Sequence, residues 1–197
     1  NIESDKKEFP LANLTGLPVE VFSKNRKNFL KTIKQKLKGL EHDSILLLEG
    51  GREIPRHDTD TVCFHFIQDS NFYYLTGLTE PNFFLTLDFK SEEPTLFMEM
   101  PVEKTRIYQR VPSLEEISET YKIKCVELNK IYDFIAERNP KEIYRLNGTN
   151  SDSGLKIKTA KFDPPTEKQY LNKRLNNDEL VYEMLADART RKTLQEK

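Results

Sequence analysis

A run of four aliphatic residues, Ile45–Leu48, constrains the fold of this chain more than any other feature. The run is too short for a helix and is followed by Gly50 and Gly51, so it predicts a buried strand. Segments with helical and strand periodicity alternate over most of the chain, which favours an α/β fold with a mixed sheet flanked by helices. With 197 residues, 37% of them hydrophobic, the chain is long enough for one domain with a buried core.

Local signals place the other elements along the chain. Pro18 begins and Gly39 ends the first helical pattern, Gly77 stops a short one, and Ser113 with Glu116 forms a capping box. The predicted helices are Pro18–Gly39, Ser113–Tyr121, Asn129–Pro140 and Asp178–Ala188, and Ser70–Leu75 is predicted as a short helical or turn segment. The predicted strands are Ile45–Leu48, Thr61–Ile67, Phe83–Phe89, Thr95–Met100 and Glu142–Leu146. A charged turn joins the third and fourth of these strands and predicts a hairpin.

Charge and composition argue against two classes of partner. The 31 Lys and Arg residues balance the 32 Asp and Glu residues, for a net charge of −1, so we expect binding neither to nucleic acid nor to an anionic membrane. No apolar run is long enough to span a bilayer, and the charged start of the sequence is unlike a signal peptide. The two cysteines, Cys63 and Cys125, favour a reduced, cytoplasmic chain in which both are small buried side chains.

The densest group of possible metal ligands is His57, Asp58 and Asp60, with Thr59 between the two carboxylates. A histidine beside a carboxylate pair has the chemistry of a hydrolytic metal site. Such a site needs ligands from several elements, however, and no matching cluster stands at the end of another strand. Asp and Thr in a loop more commonly form local hydrogen bonds to the backbone. We therefore expect no metal site in this chain.

Other reactive side chains lack the neighbours that catalysis needs. Cys63 and Cys125 have no Cys or His at ligand spacing, and Ser70 and Ser153 lie outside the G-x-S-x-G pattern of a nucleophile elbow. His65 lies in a predicted strand, where we expect a neighbouring group to satisfy its ring nitrogens. The residues alone thus predict a compact α/β domain with no catalytic residues of its own.

One stretch of the chain has a distinctive pattern. It comprises, in order, Arg56–Thr61, Phe64, Phe66, Gln68–Gly77 and Thr79–Pro81. This pattern resembles the N-terminal domain of proline-specific metallopeptidases, namely aminopeptidase P and, more closely, eukaryotic prolidase (Xaa-Pro dipeptidase). The closer similarity to prolidase rests on residues spread over almost the whole chain: Asp58–Thr61, Pro18, Phe22, Asn25, Arg26 and Asn150–Gly154.

The resemblance implies a creatinase/prolidase-type α/β fold, related to the ribonuclease-H-like sheet, over residues 1–188. Residues 189–197 are similar to the linker and first helix that lead into a C-terminal catalytic domain. In the family that domain holds two divalent metal ions, usually manganese, through two Asp, one His and two Glu, and a metal-activated water attacks the peptide bond before proline. None of these ligands matches a residue of this chain. The resemblance therefore implies an active full-length peptidase whose N-terminal domain has neither catalytic nor manganese-binding residues.

The resemblance also implies a role in a homodimer. In the family this domain contributes to the dimer and closes one wall of the partner subunit's pocket for proline-containing peptides or dipeptides. An aromatic residue, usually Trp, forms that wall in the segment corresponding to Pro101–Val111, and Tyr108 occupies the position here. Tyr108 replaces Trp, and Arg110 stands where a glycine usually follows, so packing of Tyr108 within its own domain stays an alternative.

Two other functions stay open on the sequence alone. The same domain type occurs in histone-chaperone subunits that lost catalysis and bind basic proteins, but the near-neutral charge and the missing acidic run argue against that role. A catalytically dead peptidase paralogue is the other alternative, because every catalytic ligand would lie beyond Lys197.

Overall fold

The predicted mixed α/β architecture is confirmed by the computed structural model, which describes residues 17–36, 43–57, 64–101 and 110–191. In these ranges the strands are β1 (Ser44–Glu49), β2 (Phe83–Asp88), β3 (Pro94–Met98), β4 (Lys124–Glu127), β5 (Glu142–Arg145) and β6 (Leu175–Asn176). The α-helices are α1 (Val19–Lys36), α2 (Ser70–Thr76), α3 (Leu114–Tyr121), α4 (Ile131–Arg138) and α5 (Leu180–Thr190). Two 3₁₀ helices span Leu128–Lys130 and Thr166–Arg174.

The six strands form one sheet in the order β4-β3-β2-β1-β5-β6. The pairs β1–β2 and β2–β3 are antiparallel, and the pairs β1–β5, β3–β4 and β5–β6 are parallel. The antiparallel pair β2–β3 confirms the predicted hairpin. It follows that every strand except β2 ends at the same edge of the sheet. We call this edge the carboxyl edge.

The sheet separates two hydrophobic layers, because successive side chains of a strand point to opposite faces. Leu46 and Leu48 of β1 belong to the layer that contains α1, α2, α3 and α5. Ile45 and Leu47 belong to the layer that contains α4 and the 3₁₀ helix Thr166–Arg174. All of β1 is buried, and each of these aliphatic side chains stabilises the fold by about 1.5–3 kcal/mol.

Helix α2 is held at both ends by residues of the distinctive pattern. The Asp69 carboxylate accepts hydrogen bonds from the backbone N–H groups of Asn71 and Phe72, each at 2.9 Å. Gly77 ends the helix in the left-handed conformation, with φ at +73°, and its N–H donates to the Tyr73 carbonyl at 2.8 Å. These contacts satisfy backbone groups that a seven-residue helix would otherwise leave to solvent.

Several predicted elements differ from the structure. The predicted strand Thr61–Ile67 is wrong over residues 64–67, which are irregular, and its first three residues lie outside the described ranges. Asn129 does not cap α4 but lies inside the 3₁₀ helix Leu128–Lys130, and Lys130 is the residue that precedes the helix. Gly39, the predicted end of the first helix, also lies outside the described ranges. The predicted capping box of Ser113 is confirmed.

We expect Gly77→Ala to destabilise the domain by about 2–5 kcal/mol, because a left-handed residue and an overpacked contact each carry a cost. A β-carbon at this position would lie 2.4 Å from the Phe22 ring. Gly154 is the matched control, since its φ is +68° and a β-carbon there would meet no atom within 4 Å. Urea titration of both variants should show the larger loss for Gly77→Ala, and equal losses would contradict the role of the Phe22 contact.

Candidate functional site

Three loops that carry the patterns noted in the sequence meet at the carboxyl edge. Residues 50–69 follow β1, residues 99–113 follow β3, and residues 146–165 follow β5. They meet because these strands all end at this edge. In open α/β sheets, ligands commonly bind outside the carboxyl ends of the strands. The carboxyl edge is therefore the candidate functional site.

Gln68 holds the first of these loops against the sheet. Its side-chain oxygen accepts from the N–H of Gly51 at 2.6 Å and of Asp69 at 2.9 Å, and its amide nitrogen donates to the Glu80 carbonyl at 2.8 Å. The Glu80 carboxylate in turn accepts from the Tyr121 hydroxyl at 2.7 and 2.9 Å. Burial raises the pKa of Tyr121, and the Glu80 carboxylate raises it further, so the hydroxyl stays protonated as a donor.

A second set of polar residues fixes α2 between α1 and α5. The Asn25 amide donates to the Tyr74 carbonyl at 3.1 Å, and the Arg26 guanidinium donates to the Leu75 carbonyl at 2.7 Å. Burial lowers the pKa of Arg26 to about 10. Because this value is still well above neutral pH, the guanidinium stays charged there. Arg189 of α5 donates to the Asn71 side-chain oxygen at 2.7 Å. The polar residues on α2 thus hold the fold together instead of forming a reactive group.

A buried carboxylate at the end of β1 binds three groups, and sequence reasoning missed it. The Glu49 side chain is 1% exposed and accepts from Arg52 Nε at 2.8 Å, and Lys158 Nζ lies 3.2 Å from it. The Lys161 N–H donates to its other oxygen at 2.8 Å. We call these four residues the Glu49 cluster. A charged residue directly after four buried aliphatics was the available signal, but two of its three partners, Lys158 and Lys161, lie more than a hundred positions away.

The charge balance of this cluster shifts the titration of Glu49. Burial alone would raise the pKa of Glu49, but the hydrogen bonds from Arg52 and Lys161 and the charge of Lys158 outweigh it. The pKa of Glu49 therefore lies below its ordinary value of 4.5. The ionised Glu49 carboxylate thereby ties the loop of residues 146–165 to β1.

The same edge exposes large apolar side chains. Of the six large hydrophobic side chains that are exposed in the described part of the chain, only Tyr170 lies away from the three loops. The other five, which we call the edge patch, are Ile54, Phe64, Ile67, Met100 and Leu155. Ile54 and Phe64 are adjacent, since the Phe64 N–H donates to the Ile54 carbonyl at 2.9 Å. Contiguous exposed apolar surface, as at Ile54 and Phe64, commonly marks an interaction surface.

Those candidate residues of the sequence that the structure describes have different surroundings. His57 is exposed, with a positive φ of 56°, and its ring lies edge-on to Phe64 at 6.1 Å. His65 is exposed too, and Ser153 lies in an exposed turn. Cys125 is buried in the layer of α1 and α3, and this burial raises its pKa to about 12. The remaining candidates lie outside the described residues: Asp58, Thr59, Asp60, Cys63 and Tyr108.

The described residues do not fit a metal centre. Within these ranges, no three His, Cys, Asp or Glu side chains come together as a ligand group. No reaction step is therefore assigned to a metal held by these residues. None of the helices in the described residues is long and apolar enough to cross a membrane.

Comparison with known proteins identifies relatives. The family described as "Aminopeptidase P, N-terminal domain" matches residues 22–144, more than half of the chain. The human Xaa-Pro dipeptidase is 30% identical over 158 residues, which cover 79% of this chain. That match covers 32% of the human protein, so the chain spans about a third of the length of the curated relatives it matches.

Solved structures share the fold. A Bacillus anthracis protein assigned as an aminopeptidase P aligns with a TM-score of 0.57 at 21% identity, over 84% of this chain and 40% of its own. A zinc-substituted Escherichia coli aminopeptidase P, solved in complex with product, aligns with a TM-score of 0.52 at 13% identity, over 89% of this chain and 34% of its own. At these identities the likeness concerns the fold.

We expect the stability of the domain to fall as the pH drops below 4.5, in part because of Glu49. A carboxyl group whose pKa is lower in the folded state stabilises the fold fully above its unfolded pKa, and loses this effect as the pH falls through the folded pKa. Glu49→Gln should lower the free energy of unfolding at pH 7 by about 1–3 kcal/mol and flatten its dependence on pH below 4.5.

Urea titrations at several pH values measure this effect. Glu99→Gln is the control, because Glu99 also binds Arg52, at 3.0 Å, but its side chain is 44% exposed. An equally steep fall in stability for Glu49→Gln and the unmodified chain would contradict the assigned role of the Glu49 cluster.

Proposed function

The chain belongs to the family of aminopeptidase P N-terminal domains, and on this premise we propose that it is the non-catalytic N-terminal domain of a proline-specific metallopeptidase. The full-length protein would hydrolyse Xaa-Pro peptide bonds, in dipeptides or longer peptides. The similarity to Xaa-Pro dipeptidase over 79% of the chain supports this assignment. A cytoplasmic location belongs to the same proposal, since a free thiol such as Cys125 persists in a reducing compartment.

The chemistry is assigned to the part of the protein that would follow Lys197. Two metal ions bound there, which we propose to be manganese, would activate a water for attack on the peptide carbonyl. The next roughly 250 residues of the full-length protein, an ordinary domain length, should contain two Asp, one His and two Glu as ligands. Replacement of two or more of them would instead indicate a dead paralogue or a binding module.

We propose that the carboxyl edge contributes to a homodimer and closes the partner subunit's substrate pocket. The observation that carries this proposal is the edge patch, because its five apolar side chains lose contact with water only when another surface covers them. In the sequence, Tyr108 falls between β3 and α3, in the same segment as Met100 of this patch. A flat aromatic wall suits the rigid ring of proline through contact area and exclusion of water.

In the full-length protein, Tyr108→Ala should lower kcat/KM by about tenfold or more, since a lost aromatic contact is worth about 1–3 kcal/mol. The Tm should stay unchanged if Tyr108 contacts only the partner subunit. Tyr170→Ala is the matched control, because Tyr170 is 47% exposed on the 3₁₀ helix Thr166–Arg174, away from the carboxyl edge. Unchanged kinetics with a lowered Tm would mean that Tyr108 packs within its own domain.

Heterodimers test whether Tyr108 acts across the dimer. A Tyr108→Ala subunit, paired with a catalytically inactivated subunit that keeps Tyr108, should retain the normal kcat/KM. An intact subunit, paired with an inactivated Tyr108→Ala subunit, should show the defect. The reverse pattern would contradict the proposed arrangement.

The edge patch makes a separate prediction about assembly. The double substitution Ile54→Ser and Ile67→Ser should raise the dimer dissociation constant at least about tenfold, because two buried apolar contacts are lost. Sedimentation equilibrium of the full-length protein measures this constant, and Tyr170→Ser serves as the control. The Tm of the 197-residue chain should not fall, since both isoleucines are exposed in it. An unchanged dissociation constant would remove the patch from the dimer interface.

A further inference from the structure

A groove between three helices is not used by the proposed function. It lies where the start of α1, α2 and the end of α5 meet, and it encloses about 510 Å³. Its lining includes Leu17, Phe22, Tyr73, Tyr74, Ala186 and Thr190. The groove combines apolar walls with a few polar groups, as binding surfaces for protein segments commonly do.

Tyr73, which lines this groove, has a hydroxyl without a hydrogen-bond partner in the described part of the chain. The Tyr73 hydroxyl is buried, and no described residue accepts a hydrogen bond from it or donates one to it. The Tyr73 ring is held edge-on to Phe22, with the ring centres 5.4 Å apart, so the hydroxyl position is fixed by packing. A buried hydroxyl without a partner is costly, and an occupant that supplies an acceptor would remove that cost.

The last turn of α5 is anchored at the groove. The Arg189 guanidinium donates to the Asn71 side-chain oxygen at 2.7 Å, and the Tyr74 hydroxyl donates to the Ala188 carbonyl at 3.1 Å. These two contacts tie the end of α5 to α2. The end of α5, from which the chain continues, therefore lies against the groove.

We propose that this groove is the docking site for the part of the full-length protein that continues from α5. The inference rests on the proposed function, in which a catalytic domain follows this chain. The chain covers 32% of the human relative, so the proposed continuation is long enough to supply a segment for the groove. The occupant offers apolar side chains to the Phe22 and Tyr73 rings and an oxygen acceptor to the Tyr73 hydroxyl. The carboxyl edge is then left for the partner subunit.

Tyr73→Phe tests the hydroxyl, because the expected effect differs between the two forms of the protein. In the 197-residue chain the variant loses a hydroxyl without a partner, so the Tm stays the same or rises. In the full-length protein it loses a hydrogen bond to the occupant. Hydrogen–deuterium exchange of α2 should then accelerate about fivefold relative to the unmodified full-length protein. Unchanged exchange in the full-length variant overturns the assigned contact.

Ser70→Arg tests the groove as a whole. Ser70 is exposed at the rim, so an arginine there should obstruct the groove without unfolding the 197-residue chain. In the unmodified full-length protein, α2 and the end of α5 should exchange more slowly than in the 197-residue chain, and Ser70→Arg should abolish that protection. Ser91→Arg is the control, since Ser91 is exposed in the turn between β2 and β3.

Three results overturn the proposal. The first is equal exchange of the groove in the full-length protein and the 197-residue chain. The second is faster exchange of the groove when residues 1–16 are deleted from the 197-residue chain, which would make that segment the occupant. The third is protection that increases with protein concentration, which would make the occupant a second copy. Hydrogen–deuterium exchange can be measured without peptidase activity. A full-length protein that lacks activity would therefore contradict the proposed function but not the docking of a segment in the groove.

Discussion

Burial of β1 on both faces is the constraint on which the rest of the structure depends. Its aliphatic side chains alternate between two layers, so a helix layer is required on each side of the sheet. With both faces covered, the free surface for recognition consists of the sheet edges and the outer sides of the helices. β1 pairs with β5 in parallel, and β1 and β3 are both antiparallel to β2, so three long loops begin at one edge.

The polar residues of the distinctive pattern act mainly on the architecture. Asp69 begins α2, Gln68 joins the first loop to Glu80, and Asn71 binds the end of α5. A side chain committed to two or three hydrogen bonds within the fold is not available to activate a substrate. The pattern thus identifies the family through the requirements of its fold, and the proposed recognition surface consists instead of exposed apolar residues.

The sequence predicted those elements whose signals are local. The run Ile45–Leu48, the glycine after α2 and the capping box of Ser113 each act within a few residues, and all were found where expected. The 3₁₀ helix Thr166–Arg174 and β4 were missed, because neither has a clear apolar period. These elements are stabilised by tertiary contacts that a local pattern does not contain.

The predicted strand around Phe64 and Phe66 was wrong for a related reason. A β-carbon added at Gly51 would lie 2.8 Å from the Phe66 ring, which therefore packs against the glycine backbone, whereas Phe64 is exposed. The alternation of Phe64 and Phe66 with polar residues is typical of a strand, but one ring packs against Gly51 and the other faces solvent. The Glu49 cluster was beyond sequence reasoning as well, because Lys158 and Lys161 follow β5 in the sequence and contact β1 only through the tertiary fold. Site residues of this kind become visible only with the fold.

The short outer strands of the sheet have a consequence for behaviour at high protein concentration. The sheet ends at β6, which has two residues, and at β4, whose four residues begin with Lys124 and end with Glu127. Edge strands that are short or charged offer little unpaired backbone to a strand from another molecule. The fold therefore protects itself from edge-to-edge aggregation even though its loops expose large apolar side chains.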